Sequence, residues 1–413
     1  MFTHLHASPT RQRGFLALAR RAGVRRAIRE VPVSTAPPDR LLDPETRALL
    51  ALHLVPGLGP RLTKALLERF GSAAGVLRAA PHELAAVPHL NEKTAQGIRA
   101  AAEAADVAKE LALLERYQTR LIRLGTPEYP EPLAAIIDPP ALLYIRGTLM
   151  PADRNAIAIV GSRHCTPYGR RIAQRLAADL VRAGYTVVSG LARGVDSEAH
   201  RGALAAGGRT IAVLAGGLSR IYPPEHAELA DAVAAAGALL SEAAMAMAPM
   251  AGMFPARNRL ISGLSRGVVI VEAAEKSGAL ITARHAADQG RPVFAVPGPL
   301  DSPASSGTHA LIRDGAILIR SADDILEELD GVSAVARSVA SRPSSAPRPA
   351  TTPPPGLDDV QMRLWAALAD HPRHFDELVQ QLGLGVSPLT TALLTLEMKR
   401  LVRRLPGNRY ERC

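Results

Sequence analysis

The chain has 413 residues and a formal net charge of +10, with 47% hydrophobic, 21% charged and 3% aromatic residues. That apolar share excludes wholesale disorder and collagen-like or coiled-coil composition, and the length predicts two or three domains. The basic balance calls for an acidic partner such as nucleic acid, an anionic surface or a phosphorylated ligand, while the shortage of aromatic rings argues against a base-stacking platform.

Residues 1–45 form a basic arm, with eight arginines against four acids and Pro37-Pro38 near its end. The composition predicts a disordered arm or a start placed too far upstream; a transit peptide has the same appearance. Residues 46–117 are rich in Ala and Leu at helical spacing. Within them, "LVPGLGPRLTKALLERFG" predicts helix, tight turn and helix, with Gly57 and Gly59 flanking Leu58 and the second helix starting near Pro60. This resembles the helix-hairpin-helix pattern, in which turn glycines let backbone amides approach a DNA phosphate. A second copy, "ELAAVPHLNEKTAQGI", has His89 and Asn91 in place of the glycines. Two uses stand for these hairpins: DNA contact, or packing within a small all-α domain.

Residues 118–330 alternate short aliphatic runs with helical stretches. Ala156–Val160 is an unbroken apolar run, as for a strand covered on both faces. The segments 185–196 and 210–217 read as a strand followed by a Gly-rich turn, and 238–242, 267–273 and 292–298 as further strands, with helices from about Gly169 to Ala183 and around His200. The alternation predicts a doubly wound parallel sheet, whose ligands sit at the carboxyl ends of the strands. Four turns at that edge are built from Gly, Ser and basic residues. They contain Gly161, Ser162 and Arg163; Gly190, Arg193 and Gly194; Arg257, Asn258 and Arg259, placed just ahead of a helix; and Lys276, Ser277, Gly278 and Thr282 at another helix start. Helix amides and guanidinium groups together favour anions, and four such turns on one edge suit successive phosphates of an extended strand.

Residues 331–356 make a Ser/Pro/Ala linker without an acid. Residues 357–413 read as three helices, Leu364–Asp370, Phe375–Leu382 and Ser387–Leu401, and a β-hairpin around Pro406-Gly407: a winged-helix outline. Its third helix is poor in base-reading side chains, so protein contact and duplex binding both stand.

Nothing in the chain announces catalysis or a cofactor. GxGxxG, the P-loop and HExxH are absent, His371 and His374 lie three apart without further ligands in sequence, and Ser162 has only His164 nearby as a base. His200, His226 and His285 read as structural or surface residues. Cys165 and Cys413 give neither a disulfide framework nor a thiolate metal site, which points to a reducing cytoplasm. No segment is apolar over a bilayer's thickness, so no membrane is expected. Divided by region, the charge is +4 in the arm, +3 in the linker, +1 in the terminal domain and +2 in residues 46–330, which hold thirty basic and twenty-eight acidic residues.

The segments "EYPEPLAAIIDPPALLYIRG" (128–147), "AIVGSR" (158–163), "VVSGLARGVDSEAH" (187–200), "TIAVLAGGL" (210–218), "YPPEH" (222–226), "FPARNRLISGLSRGVVIVEAAEKSGALITAR" (254–284) and "AVPG" (295–298) resemble the DNA processing protein A (DprA/Smf) family. The resemblance implies an extended Rossmann-like domain, a preceding SAM-like helix-hairpin-helix domain and a following winged helix. It implies a single-stranded DNA binder without catalysis, acting as a homodimer and loading the RecA recombinase onto incoming strands in natural transformation. Arg163, the segment of Phe254, Arg257, Asn258 and Arg259, and Lys276 would contact the DNA. A distant resemblance to nucleoside-monophosphate phosphoribohydrolases gives one rival reading, but "EKSGALITARHA" lacks the PGGxGTxxE turn that such enzymes need; a general DNA-repair or chromatin accessory, with the helix-hairpin-helix and winged helix as its main contacts, is the other. One departure from the family is "AAMAMAPMAGM" (243–253), which reads either as an apolar flap beside the groove or as a loop packed on the domain. The basic arm has no family counterpart.

Overall fold

A computed structural model describes residues 42–330, 357–368, 373–399, 401–405 and 409–412. The arm through residue 41, the 331–356 linker, His371, the Pro406-Gly407 turn and Cys413 lie outside the described residues. The described chain divides into two compact units, one reaching Gly331 and the other formed by the terminal domain.

The helical hairpins come first. Asp43 caps the Pro44–His53 helix by accepting from the Glu45 and Thr46 amides at 3.1 and 3.0 Å. Gly57 then turns the chain at φ +86°, and Gly59 precedes the Pro60–Phe70 helix. In the second hairpin, between the Pro81–Ala85 and Glu92–Glu103 helices, His89 takes φ +65° at the position matching Gly57. Asn91 caps the helix that follows, its side chain accepting from the Thr94 amide at 2.7 Å. The second turn therefore keeps the left-handed residue of the first, at the steric cost of a side chain in that region.

Nine strands form one sheet: β1 (Thr119–Arg123), β2 (Leu142–Gly147), β3 (Ala156–Val160), β4 (Thr186–Ser189), β5 (Thr210–Leu214), β6 (Ala238–Ser241), β7 (Gly267–Ile270), β8 (Val293–Ala295) and β9 (Ile317–Leu318). Their order is β1-β2-β6-β5-β4-β3-β7-β8-β9. The strands from β3 to β9 are mutually parallel, as expected for an extended Rossmann-like doubly wound sheet, and β3, β4, β5 and β6 are buried throughout. β1 and β2, which the aliphatic-run pattern does not reveal, extend one edge with antiparallel pairings.

The hairpins are not a separate bead on this sheet. Leu50, Leu66 and Ile98 of the helical region share one core cluster with Tyr144 of β2, Leu214 of β5 and Met245. A buried carboxylate fastens the contact: Glu110, on the Val107–Arg116 helix, accepts from the Met245 amide at 2.6 Å. The methionine-rich segment accordingly behaves in two ways. Its first part packs onto the domain, with Met245 wholly buried, while Met247 and Met250 are 42% and 62% exposed.

In the terminal unit, the Asp359–Ala367, Phe375–Leu382 and Val386–Met398 helices pack through Leu364, Trp365, Leu378, Leu389, Leu393 and Leu396. Strands β10 (Arg373–His374), β11 (Val402–Leu405) and β12 (Arg409–Arg412) form an antiparallel sheet in the order β10-β12-β11. The first helix begins five residues before the expected start because Asp358 caps it, accepting from the Gln361 amide at 2.8 Å. Among the described residues of the whole chain, no helix is long and apolar enough to cross a membrane.

Candidate nucleic-acid interface

β3 and β7 are neighbours whose connections leave in opposite directions, β3 toward β4 and β7 toward β8. Such a reversal opens a crevice at the carboxyl ends of the strands. The Gly161-Ser162-Arg163 turn forms one wall of it and residues 274–282 form the other.

The first wall is held rigidly. Ser162 donates its amide to the Glu272 carbonyl at 2.7 Å and accepts the Val195 amide at 3.1 Å. A Cβ at Gly161 would lie 2.7 Å from Val195 Cγ2 and 2.9 Å from the Glu272 carbonyl, so this crossing requires glycine. The expectation of free helix amides just after this turn needs correction. The helix starts only at Pro167, and Thr166 caps it from its side chain. The buried Glu272 carboxylate takes the Thr166 amide at 2.9 Å and the Thr166 hydroxyl at 2.5 Å. An internal carboxylate thus occupies the positive end of this helix, and anion attraction beside Ser162 falls to the Arg163 side chain. Arg163 is exposed and makes no ion pair among the described residues, its guanidinium lying 4.9 Å from the Phe254 ring centroid.

The turn after β4 is equally fixed. Leu191, fully buried, has φ +57°, a conformation that costs about 1–3 kcal/mol for a non-glycine residue. Three groups hold it there. The Asp196 carboxylate accepts the Gly190 and Ala192 amides at 3.1 and 3.4 Å, His226 Nδ1 lies 2.9 Å from the Leu191 carbonyl, and Arg257 donates to the Gly190 carbonyl at 2.7 Å. Burial raises the Asp196 carboxyl above its ordinary value, against the pull of Arg257. Burial likewise lowers Arg257 to about 10, opposed by Asp196, so it stays charged near neutrality.

The segment expected just ahead of a helix lies inside one, Met253–Gly263. Pro255 is tolerated because it falls in the first turn, where its missing amide removes no helical hydrogen bond. Consecutive helical residues point about 100° apart, so the three polar side chains diverge. Arg257 reaches the Gly190 and Val213 carbonyls. Asn258 donates to the Gly278 carbonyl at 3.3 Å. Arg259 turns away from the groove, pairing with both oxygens of Glu242 at 2.9 Å and with Asp138 at 3.1 Å, its side chain 6% exposed. On the opposite wall Lys276 is exposed, with no hydrogen-bond or ion-pair partner among the described residues. At the start of the Ala279–Asp288 helix behind it, the Ser277 hydroxyl oxygen accepts the Ala279 amide at 3.3 Å, and the Ser277 and Gly278 carbonyls accept the Leu280 and Ile281 amides at 3.1 and 3.2 Å.

Gly161, Ser162, Arg163, Phe254, Arg257, Asn258, Lys276, Ser277, Gly278 and Thr282 thus come together around a groove of about 630 Å³. Gly190 and Arg193 line an adjoining hollow, and Arg259 lines neither. That hollow contains an aromatic residue not singled out from the sequence: Tyr222 stands edge-on to Phe254 with ring centroids 5.8 Å apart. Its only sequence signal was membership of the "YPPEH" segment. The first hairpin's turn lies elsewhere, lining a cleft with Met247, Met253, Leu260 and Glu242 that faces the sheet domain. Among the described residues no His, Cys, Asp and Glu group can hold a metal ion.

The family described as DNA recombination-mediator protein A matches residues 120–330, a DprA winged helix domain matches 348–408, and a SAM-like helix-hairpin-helix tandem matches 49–104. Protein Smf of Synechocystis is 34% identical over 388 residues, covering 88% of this chain and 98% of its own length. DNA processing protein DprA of Bacillus subtilis is 47% identical over 221 residues, covering 53% of this chain and 74% of its own length. The X-ray structure of DNA processing protein A from Streptococcus pneumoniae superposes with a TM-score of 0.61 at 33% identity, covering 68% of this chain and 98% of that one.

Proposed function

The chain belongs to the DNA recombination-mediator protein A family, and we propose that it binds single-stranded DNA in the groove between the β3 and β7 turns and delivers the strand to the RecA recombinase during transformation. Binding proceeds without catalysis, in the cytoplasm, by a homodimer. The observation that carries this reading is the pair of exposed cations, Arg163 and Lys276, that stand on opposite walls of one groove and make no ion pair among the described residues. Phe254, beside Arg163 in the groove, and Tyr222, in the adjoining hollow, offer rings on which an unpaired base can stack, whatever its identity. Duplex DNA hides those base faces, so single strands gain most. The domain itself is almost neutral, and its affinity comes from where the cations stand rather than from their number.

The test is titration of single-stranded and duplex oligonucleotides across a salt series, followed by RecA filament assembly on strands coated with a single-strand-binding protein. The wild type should prefer single strands and accelerate assembly. Arg163→Ala/Lys276→Ala should lose that acceleration and reduce the salt slope for single strands by about 1.4, at about 0.7 per phosphate contact. Equal binding to single and duplex DNA, or a double variant that binds like the wild type, refutes the reading.

A further inference from the structure

Beyond the Arg163 wall lies a second depression, of about 480 Å³, with a different chemistry. Arg163 and His164 border both it and the groove, and Arg170, Arg193 and Arg201 complete its cationic lining. Arg170 projects from the first turn of the Pro167–Arg182 helix, exposed and without an ion pair among the described residues. Arg201 pairs with Glu198 at 2.7 Å and Arg193 with Glu225 at 2.5 Å. Four arginines therefore surround the basin against one lining carboxylate, Glu198. In contrast to the groove, the basin has no Phe, Tyr or Trp in its lining. It provides charge for a backbone, and apart from the His164 and His226 rings it has no aromatic face for a base. With Glu272 capping the neighbouring helix, that charge resides in the side chains.

We propose that the single strand does not end in the groove but continues over Arg163 into this basin, where Arg170 and Arg201 take the next phosphates independently of the bases. The inference rests on the reading of the groove as the single-strand site, and adds a base-blind extension to it. A phosphodiester chain is favoured over a free anion because the basin is continuous with the groove through Arg163 and His164. A strand crossing that wall meets cations in series: Lys276, Arg163, then Arg170 and Arg201.

Thymidine oligonucleotides of about 4 to 16 residues, the usual range of single-strand site sizes, give the baseline. They are compared with the shortest oligonucleotide that binds, extended at either end by abasic deoxyribose-phosphate units. The wild type should gain affinity from the abasic extension at one end. Arg170→Ala/Arg201→Ala should bind the short oligonucleotide like the wild type but lose that gain. Two lost contacts at a slope of about 0.7 each make the wild-type advantage shrink about sevenfold between 50 and 200 mM salt. Arg170→Ala alone, which breaks no ion pair, should lose part of the gain, and Arg170→Lys/Arg201→Lys should keep most of it. The inference is overturned by an abasic extension that adds nothing, by a gain unchanged in the double variant, or by a gain reproduced with a single terminal phosphate. If the short oligonucleotide itself fails to bind, or binds equally after Arg163→Ala/Lys276→Ala, it is the groove reading that fails.

Discussion

Neutralising Glu272 by Glu272→Gln tests whether a buried carboxylate, rather than bound DNA, satisfies the positive end of the Pro167–Arg182 helix. Glu272 is 3% exposed, and its two oxygens take the Thr166 amide and hydroxyl. Gly169, in the first turn, leaves the space its carboxylate fills. The substitution keeps the shape and removes the charge. It gives up a favourable interaction with the helix dipole, and it turns an NH2 group toward one of the two Thr166 donors. A charge-assisted hydrogen bond contributes about 1.5–3 kcal/mol and a partly buried charge at a helix end up to about 2 kcal/mol, so a loss of about 3–4 kcal/mol is expected. Urea unfolding measures it as a lower midpoint at unchanged slope. Glu272 does not line the groove, so single-strand affinity of the folded variant should be retained, or increase slightly with the acid gone. A stability loss below about 1 kcal/mol would refute the capping argument. A normal fold with abolished DNA binding would place Glu272 in the interface instead.

Two further substitutions separate structure from binding. Arg259→Ala strands Glu242 and Asp138 without their shared cation and should destabilise by about 3–5 kcal/mol, while the folded fraction binds single strands within about twofold of wild type; binding lost at full stability, in parallel titration and unfolding experiments, would return Arg259 to the DNA. His200 is completely buried beside Thr210, and burial lowers it from 6.5 to about 3. The unfolded chain therefore takes up a proton first: the contribution is intact above pH 6.5 and is lost as the pH falls toward 3, by about 2–3 kcal/mol at pH 4.5. His200→Gln should flatten the stability profile in that window by a similar amount, and an unchanged profile would show that His200 is not the group responsible.

Much of the architecture was legible in the chain because burial on both faces writes itself as unbroken apolar runs. Ala156–Val160 and Ile211–Leu214 are such runs, and the Gly- and Ser-rich turns after them marked the carboxyl edge. β1 was not legible in this way: as an edge strand it mixes buried and exposed positions in five residues and carries two arginines. The left-handed residue of the second hairpin was hidden as well, because His89 occupies a conformation that glycine usually announces.

For the candidate site, the sequence by itself determined which residue types stand at the carboxyl edge of the sheet: cations, and small turn residues that let backbones approach. Only the tertiary structure decided which cations are available. Arg257, Asn258 and Arg259 are adjacent in sequence, yet one helical turn sends them toward a carbonyl pair, the opposite wall and a buried acid pair. Whether a guanidinium is free depends on which carboxylates the fold brings within ion-pair distance. Glu242 and Asp138 reach Arg259 from other elements, whereas no acid reaches Arg163 or Lys276 among the described residues. Local pattern sets the donors, and long-range packing chooses which of them are already partnered.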